Sequence, residues 1–579
     1  MSALISALDN HVPTQFGENG TLENTWANTC NYQESITQLS FQLTRTRDAN
    51  TLNNLSRKTD ELLSSLTGAF KMSKISREEY LMYMSYLFRM IGQTRDIVDG
   101  KGEYELSYML LEVWNKHHPR LAEFAFGLFL RNDDKHPYGS WKDLKGFYKR
   151  HKNSSLVAHG SKLLLEQLRK DAISETPSLA AKWVPREKSQ HSELFEKLAL
   201  NYFSNYLETA KTASNPDVAK QLATKKAKMD FRKLISHLNK KLDTVQIKQC
   251  DSRWASIDPA KQTSITMSRQ RKAFLNLKKY GTQRMDNCDR QLCAKNFTEF
   301  AEKAKKGEVK VNGKRTGMDD FTKQALELIA QKHYSANEPS SASVETEIAL
   351  LDSQWNNNSL QTSALGKMIA MVDVSGSMMG DPMHCAIALG IRVAEKSMLG
   401  KRVLTFSTSP RWVNLDDCDG FVSMVDKLRV APWGGNTDFH SALTLILNAI
   451  TKALMKPEDV EDMVLAIFSD MQMDQAGNHS ETVMQQIDTM YAEAGMRLWN
   501  KPYKAPHILF WNLNSTSGFP TLSSKRNCSM MSGFSPALLN LFCEQGLEAL
   551  QSCTPWSLLV KSLENERYNP LDEMLRATL

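Results

Sequence analysis

Cysteine is scarce in this sequence, and long apolar runs are lacking. The chain has nine cysteines among 579 residues, an odd number with no CxxC pair, which argues against a disulfide framework and against a zinc ribbon. The most apolar segment, residues 121–130, is too short to cross a bilayer and contains Glu123. The first residues, MSALISALDNHVP, lack the basic and apolar regions of a secretory signal. We therefore expect a cytoplasmic protein that is neither secreted nor embedded in a membrane.

Glycine and proline are also too few, at 27 and 18 residues, for a collagen-like or mucin-like chain. Apolar residues make up 41% of the sequence and charged residues 24%, which is ordinary for a folded protein. A chain of this length is expected to contain more than one domain, since most domains have about 100–200 residues.

The net charge of +7 hides an asymmetry along the chain. Residues 1–350 contain 54 Lys and Arg against 41 Asp and Glu, whereas residues 351–579 contain 18 against 24. Residues 201–300 alone hold 20 basic and 9 acidic residues. Such an excess favours a polyanionic partner such as RNA, although a solvated helix face on a large domain has the same composition.

Helical periodicity predicts an all-α domain over residues 41–335, following an N-terminal segment of residues 1–40. Leu106, Met109, Leu110 and Val113 show the i, i+3, i+4, i+7 spacing of a helix with one buried face. No clean period is present, so we predict a HEAT-like stack of irregular helices. The predicted helices are 74–92, 104–116, 120–130, 141–150, 155–169, 192–208, 216–242, 297–306 and 318–333.

Residues 336–364 are rich in Ser and Asn and are predicted to be a linker. Residues 365–579 then alternate strands and helices. Because the strands are almost continuous apolar runs, both faces of their sheet should be covered by helices, as in a doubly wound α/β domain. The predicted strands are 367–373, 402–407, 412–415, 463–470, 507–513 and, less clearly, 556–561; the predicted helices are 382–399, 438–455, 480–494 and 536–550.

Oxygen-bearing side chains follow these strands at the edge where parallel sheets bind ligands. The first strand ends in the pattern D-x-S-x-S, a glycine-rich loop contains Thr437, and a later strand ends in a second aspartate. An all-oxygen set suits a hard divalent cation, Mg²⁺ or Mn²⁺. The other interpretation is that the aspartate caps a helix and the serines form a tight turn. The candidate metal ligands are Asp373, Ser375, Ser377, Thr437 and Asp470.

This constellation resembles the metal-ion-dependent adhesion site (MIDAS) of von Willebrand factor A domains. The resemblance implies that Ser375, Ser377 and Thr437 supply hydroxyl ligands, with Asp373 and Asp470 in or just behind the first shell. It also implies an open coordination position for an acidic side chain of a partner protein. A metal-free variant of the site is the alternative.

Enzymatic chemistry is not expected from the same residues. An aspartyl-phosphate phosphatase needs a second carboxylate where Ser375 lies, and a nucleophile elbow needs a glycine where Asp373 lies. The string around Gly313 and Lys314 does not provide a P-loop either.

Several longer strings extend the resemblance over roughly residues 80 to 550. TRDIVDGKGE (94–103), YGSWKDL (138–144), WGGNTDF (433–439) and FSDMQMDQA (468–476) are similar to a domain-of-unknown-function family of plants, fungi and large DNA viruses. The architecture is similar to that of Ro-type (TROVE) ribonucleoproteins, in which a helical-repeat ring precedes an A domain and binds RNA.

Aromatic residues lie among the basic residues of the helical part. Trp141, Tyr148 and Trp183 could stack on bases, although a place in the core is the commoner reason for such rings. We expect a non-enzymatic protein that binds RNA and docks a protein partner; a protein–protein adaptor without RNA is the alternative. The candidate RNA-binding residues are Lys142, Lys145, Lys149, Arg150, Lys182, Arg186, Lys225, Lys226, Lys228, Arg232 and Lys233.

Overall fold

The structure is a computed structural model, and it describes residues 12–131, 138–278, 282–334, 341–431, 433, 435, 437–474, 482–542 and 547–579. Contacts divide the chain into two compact units. The sheet unit consists of Met1–Leu106, Asp258–Asp572 and Leu579. The helical unit consists of Ser107–Ile257 and Glu573–Thr578. This division differs from the predicted one, because the first and last parts of the predicted helical domain pack with the sheet.

A mixed sheet of six strands forms the centre of the sheet unit, in agreement with the predicted α/β arrangement. The strand order is β5-β4-β3-β6-β7-β8, and all neighbours are parallel except the edge pair β4 and β5. The strands are β3 (Met368–Asp373), β4 (Arg402–Phe406), β5 (Arg411–Asn414), β6 (Val464–Ser469), β7 (His507–Asn512) and β8 (Cys528–Ser532), after a short N-terminal hairpin of β1 (Thr14–Phe16) and β2 (Leu22–Asn24).

Alternate residues of the strands enter two separate cores. In β3, Ala370 and Val372 belong to one core and Met371 to the other. The first core contains helices Asp381–Lys396 and Phe421–Arg429, and the second contains Phe439–Lys452 and Val483–Trp499. Both faces of the sheet are therefore buried, which explains the continuous apolar runs in the strand sequences.

The segment predicted as a linker contains a packed helix, Ser341–Ser359; residues 336–340 lie outside the described residues. Trp355 is fully buried and stacks on Phe421 with ring centroids 3.9 Å apart. Its indole N–H donates to Glu395, and the guanidinium of Arg392 lies 4.2 Å from the ring centroid. The polar composition misled the prediction because polar residues such as Gln354 and Asn358 are buried beside Leu351 and Trp355.

Two further predictions for the sheet unit were wrong in detail. Residues 556–561 belong to a helix, Pro555–Leu563, which begins at the N-cap Thr554. Strand β8 was missed because its sequence, CSMMS, lacks a clear strand pattern.

The helices of the sheet unit are Tyr32–Gln42, Ala49–Lys71, Arg77–Arg95, Ser264–Phe274, Cys288–Lys305, Met318–Tyr334, Ser341–Ser359, Asp381–Lys396, Phe421–Arg429, Phe439–Lys452, Pro457–Glu461, Val483–Trp499, Leu547–Ser552 and Pro555–Leu563.

The helical unit packs its helices around its own aromatic core. Gly160 permits a close approach, since a Cβ there would lie 2.7 Å from the ring of Phe126. The predicted helix 192–208 is interrupted at Phe203 and forms two helices. The helices are Pro119–Leu130, Lys142–Arg150, Ser155–Ile173, Ala180–Trp183, Ser192–Tyr202, Ser204–Lys211, Pro216–Leu242 and Val245–Cys250; Tyr104–His117 and Asn569–Thr578 span the unit boundaries. Within the described ranges, no helix has the length and apolarity to cross a membrane.

Candidate metal centre at the edge of the sheet

The candidate metal ligands Asp373 and Asp470 lie at the carboxyl ends of two adjacent parallel strands. Asp373 is the last residue of β3, and Asp470 directly follows Ser469, the last residue of β6. Val372 pairs with Phe468 in the sheet, so both strands end at the same level. Both aspartates are fully buried.

Hydrogen bonds fix the Asp373 carboxylate within the turn that carries the two candidate serines. The backbone N–H of Ser375 donates to Asp373 Oδ1 at 2.9 Å, and the Ser469 hydroxyl donates to Asp373 Oδ2 at 2.5 Å. The hydroxyl oxygens of Ser375 and Ser377 are 3.2 Å apart. Ser375 is buried, whereas Ser377 is exposed and marks the solvent side of the site.

Thr437 reaches the same edge on the loop between the helices Phe421–Arg429 and Phe439–Lys452. Thr437 is buried, and its carbonyl accepts from the N–H of Asp474 at 3.0 Å. The Gly376 N–H donates to the carbonyl of Gly435 at 3.1 Å, which ties the two loops together. Gly434 and Asn436, which belong to the sequence motif, lie outside the described residues.

The two carboxylates are electrostatically unfavourable as they stand. Burial and the nearby Asp470 carboxylate raise the pKa of Asp373 to about 7. Burial also raises the pKa of Asp470, and a hydrogen bond from Ser377 opposes that shift. Among the described residues, neither aspartate forms an ion pair with a basic side chain, and Asp470 Oδ2 is buried without a hydrogen-bond partner. A buried anionic oxygen without a partner is costly unless a cation or water compensates it.

The donor set fits a small hard cation in its chemistry. Two carboxylates and three hydroxyls supply oxygen only, as Mg²⁺ prefers. No group of three or more His, Cys, Asp or Glu side chains suited to a metal is present in the described ranges. The candidate site differs from such a group, because it has only two carboxylates and its other oxygen atoms belong to hydroxyls.

The N-terminal hairpin, which was not predicted, packs on the loop that follows Asp470. Asn19 Nδ2 donates to the carbonyl of Gln472 at 2.8 Å, and the Thr21 hydroxyl donates to the carbonyl of Met473 at 2.8 Å. No local signal could have revealed these contacts, since about 450 residues separate the partners. Asn514 Nδ2 also donates to the Ser377 carbonyl at 3.3 Å.

The motif TRDIVDGKGE has a structural explanation. The buried Lys101 ammonium donates to the carbonyls of Ser40 and Leu43 and to the Ser532 hydroxyl at 2.6–3.0 Å. Burial lowers the pKa of Lys101 to about 7, and the charge of Glu103 opposes that shift. A Cβ at Gly100 would lie 2.1 Å from a backbone carbonyl. The glycine-rich loop thus allows Lys101 to join the N-terminal residues to β8.

The first group of candidate RNA-binding residues converges on one indole ring in the helical unit. The ammonium nitrogens of Lys142, Lys145 and Lys182 lie 6.0, 5.5 and 5.7 Å from the ring centroid of Trp183. Burial, Lys142 and Arg186 lower the pKa of Lys145, and burial lowers the pKa of Lys182. The remaining three members are exposed: Lys149 and Arg150 at the end of the helix Lys142–Arg150, and Arg186.

The second group lies on the helix Pro216–Leu242 and is largely neutralised. Lys228 pairs with Glu196 at 3.2 Å, Arg232 with Glu187 at 2.6 Å and Lys233 with Asp230 at 3.9 Å. Lys226 lies over the ring of Tyr206, and Lys225 is exposed. Most of this group is a set of surface ion pairs, which the net charge of the segment could not reveal.

Comparison with known proteins shows similarity to an uncharacterised family and to an uncharacterised viral protein. A family model described as Domain of unknown function (DUF7788) matches residues 367–577. The match begins one residue before β3 and contains all five candidate metal ligands. The protein named "Uncharacterized protein L728" of Acanthamoeba polyphaga mimivirus is 27% identical over 510 residues, which cover 83% of this chain and 80% of the viral protein. Both similarities agree with the resemblance to a domain-of-unknown-function family that extends to large DNA viruses.

Proposed function

We propose that this chain is a non-enzymatic binding protein whose sheet unit binds Mg²⁺ or Mn²⁺ and docks an acidic side chain of a partner protein. The proposed site is similar to the MIDAS of von Willebrand factor A domains. The observation that carries this proposal is the buried Asp470 Oδ2, which lacks a hydrogen-bond partner among the described residues and lies near a second buried carboxylate.

The two aspartates have different proposed roles. Both oxygens of Asp373 already accept hydrogen bonds, so Asp373 is best suited to act from behind the cation or through water. One oxygen of Asp470, Oδ2, has no hydrogen-bond partner in the described part of the chain, and Ser375, Ser377 and Thr437 contribute hydroxyls. A cation held mainly by hydroxyls keeps most of its positive charge and can attract an acidic side chain.

Calorimetry with MnCl₂ and MgCl₂ on the full chain tests the metal site. We expect one cation to bind the wild type and none to bind Asp470→Asn, which keeps the size of the side chain. Asp488→Asn is the matched control, because Asp488 pairs with Lys525 at the surface of the same unit. Absence of heat at millimolar metal concentrations would contradict the proposal.

Partner docking is tested by capture with and without EDTA. A protein partner of the proposed kind is retained by the wild type in Mg²⁺ and is lost on chelation or in Ser377→Ala, since Ser377 is the exposed candidate ligand. Partners that survive both changes bind elsewhere.

The helical unit is proposed to bind RNA, as a HEAT-like domain in a Ro-type arrangement. The supporting observation is the convergence of Lys142, Lys145 and Lys182 on Trp183. Lys145 and Lys182 form no ion pair with a carboxylate in the described part of the chain. In a binding assay with a labelled RNA, Lys145→Gln together with Lys182→Gln should weaken affinity, whereas the paired Lys228→Gln should have little effect. Retention of full affinity by the double variant would favour the alternative function, a protein–protein adaptor.

A further inference from the structure

We propose that Trp183 is a stacking platform for an unpaired base of single-stranded RNA, with Lys142, Lys145 and Lys182 binding the adjoining phosphates. This inference rests on the proposed RNA-binding function and specifies its ligand and its site.

Trp183 and the lysines around it lie on two short helices of the helical unit. Trp183 is the last residue of Ala180–Trp183, and the next residue, Val184, is buried and holds the chain in place. Lys142 and Lys145 are three residues apart on the helix Lys142–Arg150 and therefore lie on one face of it. The ring and the three ammonium groups are thus carried by helices rather than by a long loop.

Exposure separates Trp183 from the other two aromatic candidates. Trp141 is 5% exposed and Tyr148 is 1% exposed, so neither ring can receive a base. Trp183 is only partly buried. Of the three rings predicted from sequence, it alone combines access to solvent with nearby positive charge.

Lys145, Lys182 and Arg186 place positive charge beside Trp183 that no carboxylate of the described residues balances. Three ammonium groups lie within 6.0 Å of one ring centroid, and the charges of Lys142 and Arg186 contribute to the lowered pKa of Lys145. Lys145, Lys182 and Arg186 have no carboxylate partner among the described residues. A bound phosphate would relieve this repulsion, in contrast to the helix Pro216–Leu242, where glutamates already do so.

The combination of a ring and lysines favours a single strand over a duplex. Lysines alone attract any polyanion, but a base can reach an indole face only when it is outside a duplex stack. The ammonium groups lie so close to the ring that one nucleotide can contact both, with its base on the ring and its phosphate at a lysine. A duplex would gain only the phosphate contacts.

Fluorescence anisotropy with the full chain tests the proposal, using a labelled 12-nucleotide single-stranded uridine-rich RNA and a 12-base-pair RNA duplex as probes. Trp183→Ala should weaken binding of the single strand about tenfold and leave duplex binding nearly unchanged. Trp183→Phe should retain most of the affinity. Trp412→Ala is the control, since Trp412 is an exposed tryptophan of the sheet unit, in strand β5.

The outcomes distinguish this inference from the proposed function. If Lys145→Gln weakens RNA binding and Trp183→Ala does not, the stacking role is overturned and the RNA function stands. If neither change affects binding, the RNA function fails at this site as well. If Trp183→Ala does not fold, crosslinking of wild type to 4-thiouridine RNA replaces it: a crosslink at Trp183 supports the proposal, and crosslinks only at other peptides overturn it.

Discussion

The Ser469 hydroxyl donates a hydrogen bond of 2.5 Å to Asp373 Oδ2, and this contact joins the ends of two adjacent strands of the sheet. The same hydroxyl accepts from the N–H of Met471 at 3.0 Å. One serine therefore orients the Asp373 carboxylate and fixes the start of the loop that follows Asp470. The sequence did not indicate this role, because no local pattern distinguishes Ser469 from other residues at the end of a strand.

Ser469→Ala should weaken Mn²⁺ binding by about tenfold, because Asp373 loses the charge-stabilising hydrogen bond and becomes harder to ionise. Calorimetry measures the change. Ser529→Ala is the matched control: Ser529 is equally buried but lies near the start of β8, at the opposite edge of the sheet. Equal losses of metal affinity in both variants would contradict the assigned role.

Metal binding should depend on pH. In the absence of metal, folded Asp373 keeps a proton up to about pH 7, whereas the unfolded chain releases it near the ordinary carboxyl pKa of about 4. The folded state thus binds more protons in this window, and this group's contribution to stability decreases as pH rises from about 4 to 7.

Mg²⁺ or Mn²⁺ must displace that proton, so apparent affinity should fall by up to about tenfold per pH unit below pH 7. Calorimetry at pH 6, 7 and 8 checks this, and the increase in melting temperature on adding Mg²⁺ should be largest at pH 8. An affinity that is constant over this range would contradict the prediction.

Gly435→Ala should reduce metal affinity strongly with a moderate loss of stability. Gly435 has φ +78°, which strains the backbone of any other residue, and a Cβ there would lie 2.3 Å from the Thr408 hydroxyl oxygen, so Thr408 or the loop that carries Thr437 must shift. Gly307→Ala is the control, because Gly307 has φ +76° with no atom near its added Cβ. That variant should lose stability in urea unfolding but keep its metal affinity in calorimetry.

Lys101→Met should lower the free energy of unfolding by about 3 kcal/mol or more, since three acceptors lose a buried charged donor. Urea denaturation measures this loss. At temperatures where the variant is folded, its RNA affinity should equal that of the wild type. A specific loss of RNA binding without destabilisation would show that the DGKGE motif has a direct role instead.

RNA affinity should fall with increasing salt, because bound phosphates release counterions when lysines neutralise them. Lys145→Gln should reduce the slope of log affinity against log salt by about one, whereas Lys228→Gln should leave it nearly unchanged because Glu196 already pairs with Lys228. Titrations between 50 and 300 mM KCl measure the two slopes. Equal slopes in the wild type and in Lys145→Gln would show that Lys145 does not contact the RNA.

A large part of the candidate site could be predicted from the sequence alone, because the apolar strands and the polar residues at their ends are visible in it. Buried parallel strands are almost continuously apolar, so β3, β4, β6 and β7 could be located within a few residues, and polar residues after them had to lie at one edge. Asp373 and Asp470 were therefore predictable as neighbours. Local pattern could not locate β8, whose sequence CSMMS mixes serines with apolar residues and is buried by partners far along the chain.

Composition by itself determined that the first part of the chain is basic. The order of apolar and polar residues determined the α/β arrangement of the last part and the oxygen-rich edge of its sheet. Only the tertiary structure decided which charges are paired: Glu196 and Glu187 neutralise two residues of one predicted basic group, whereas Lys145 and Lys182 beside Trp183 have no carboxylate partner among the described residues. Likewise, the contact of Asn19 with Gln472 and the helix Ser341–Ser359 are absent from any local pattern. The physical reason is that burial and pairing are properties of contacts between distant segments, whereas periodicity records only which face of its own element a residue occupies.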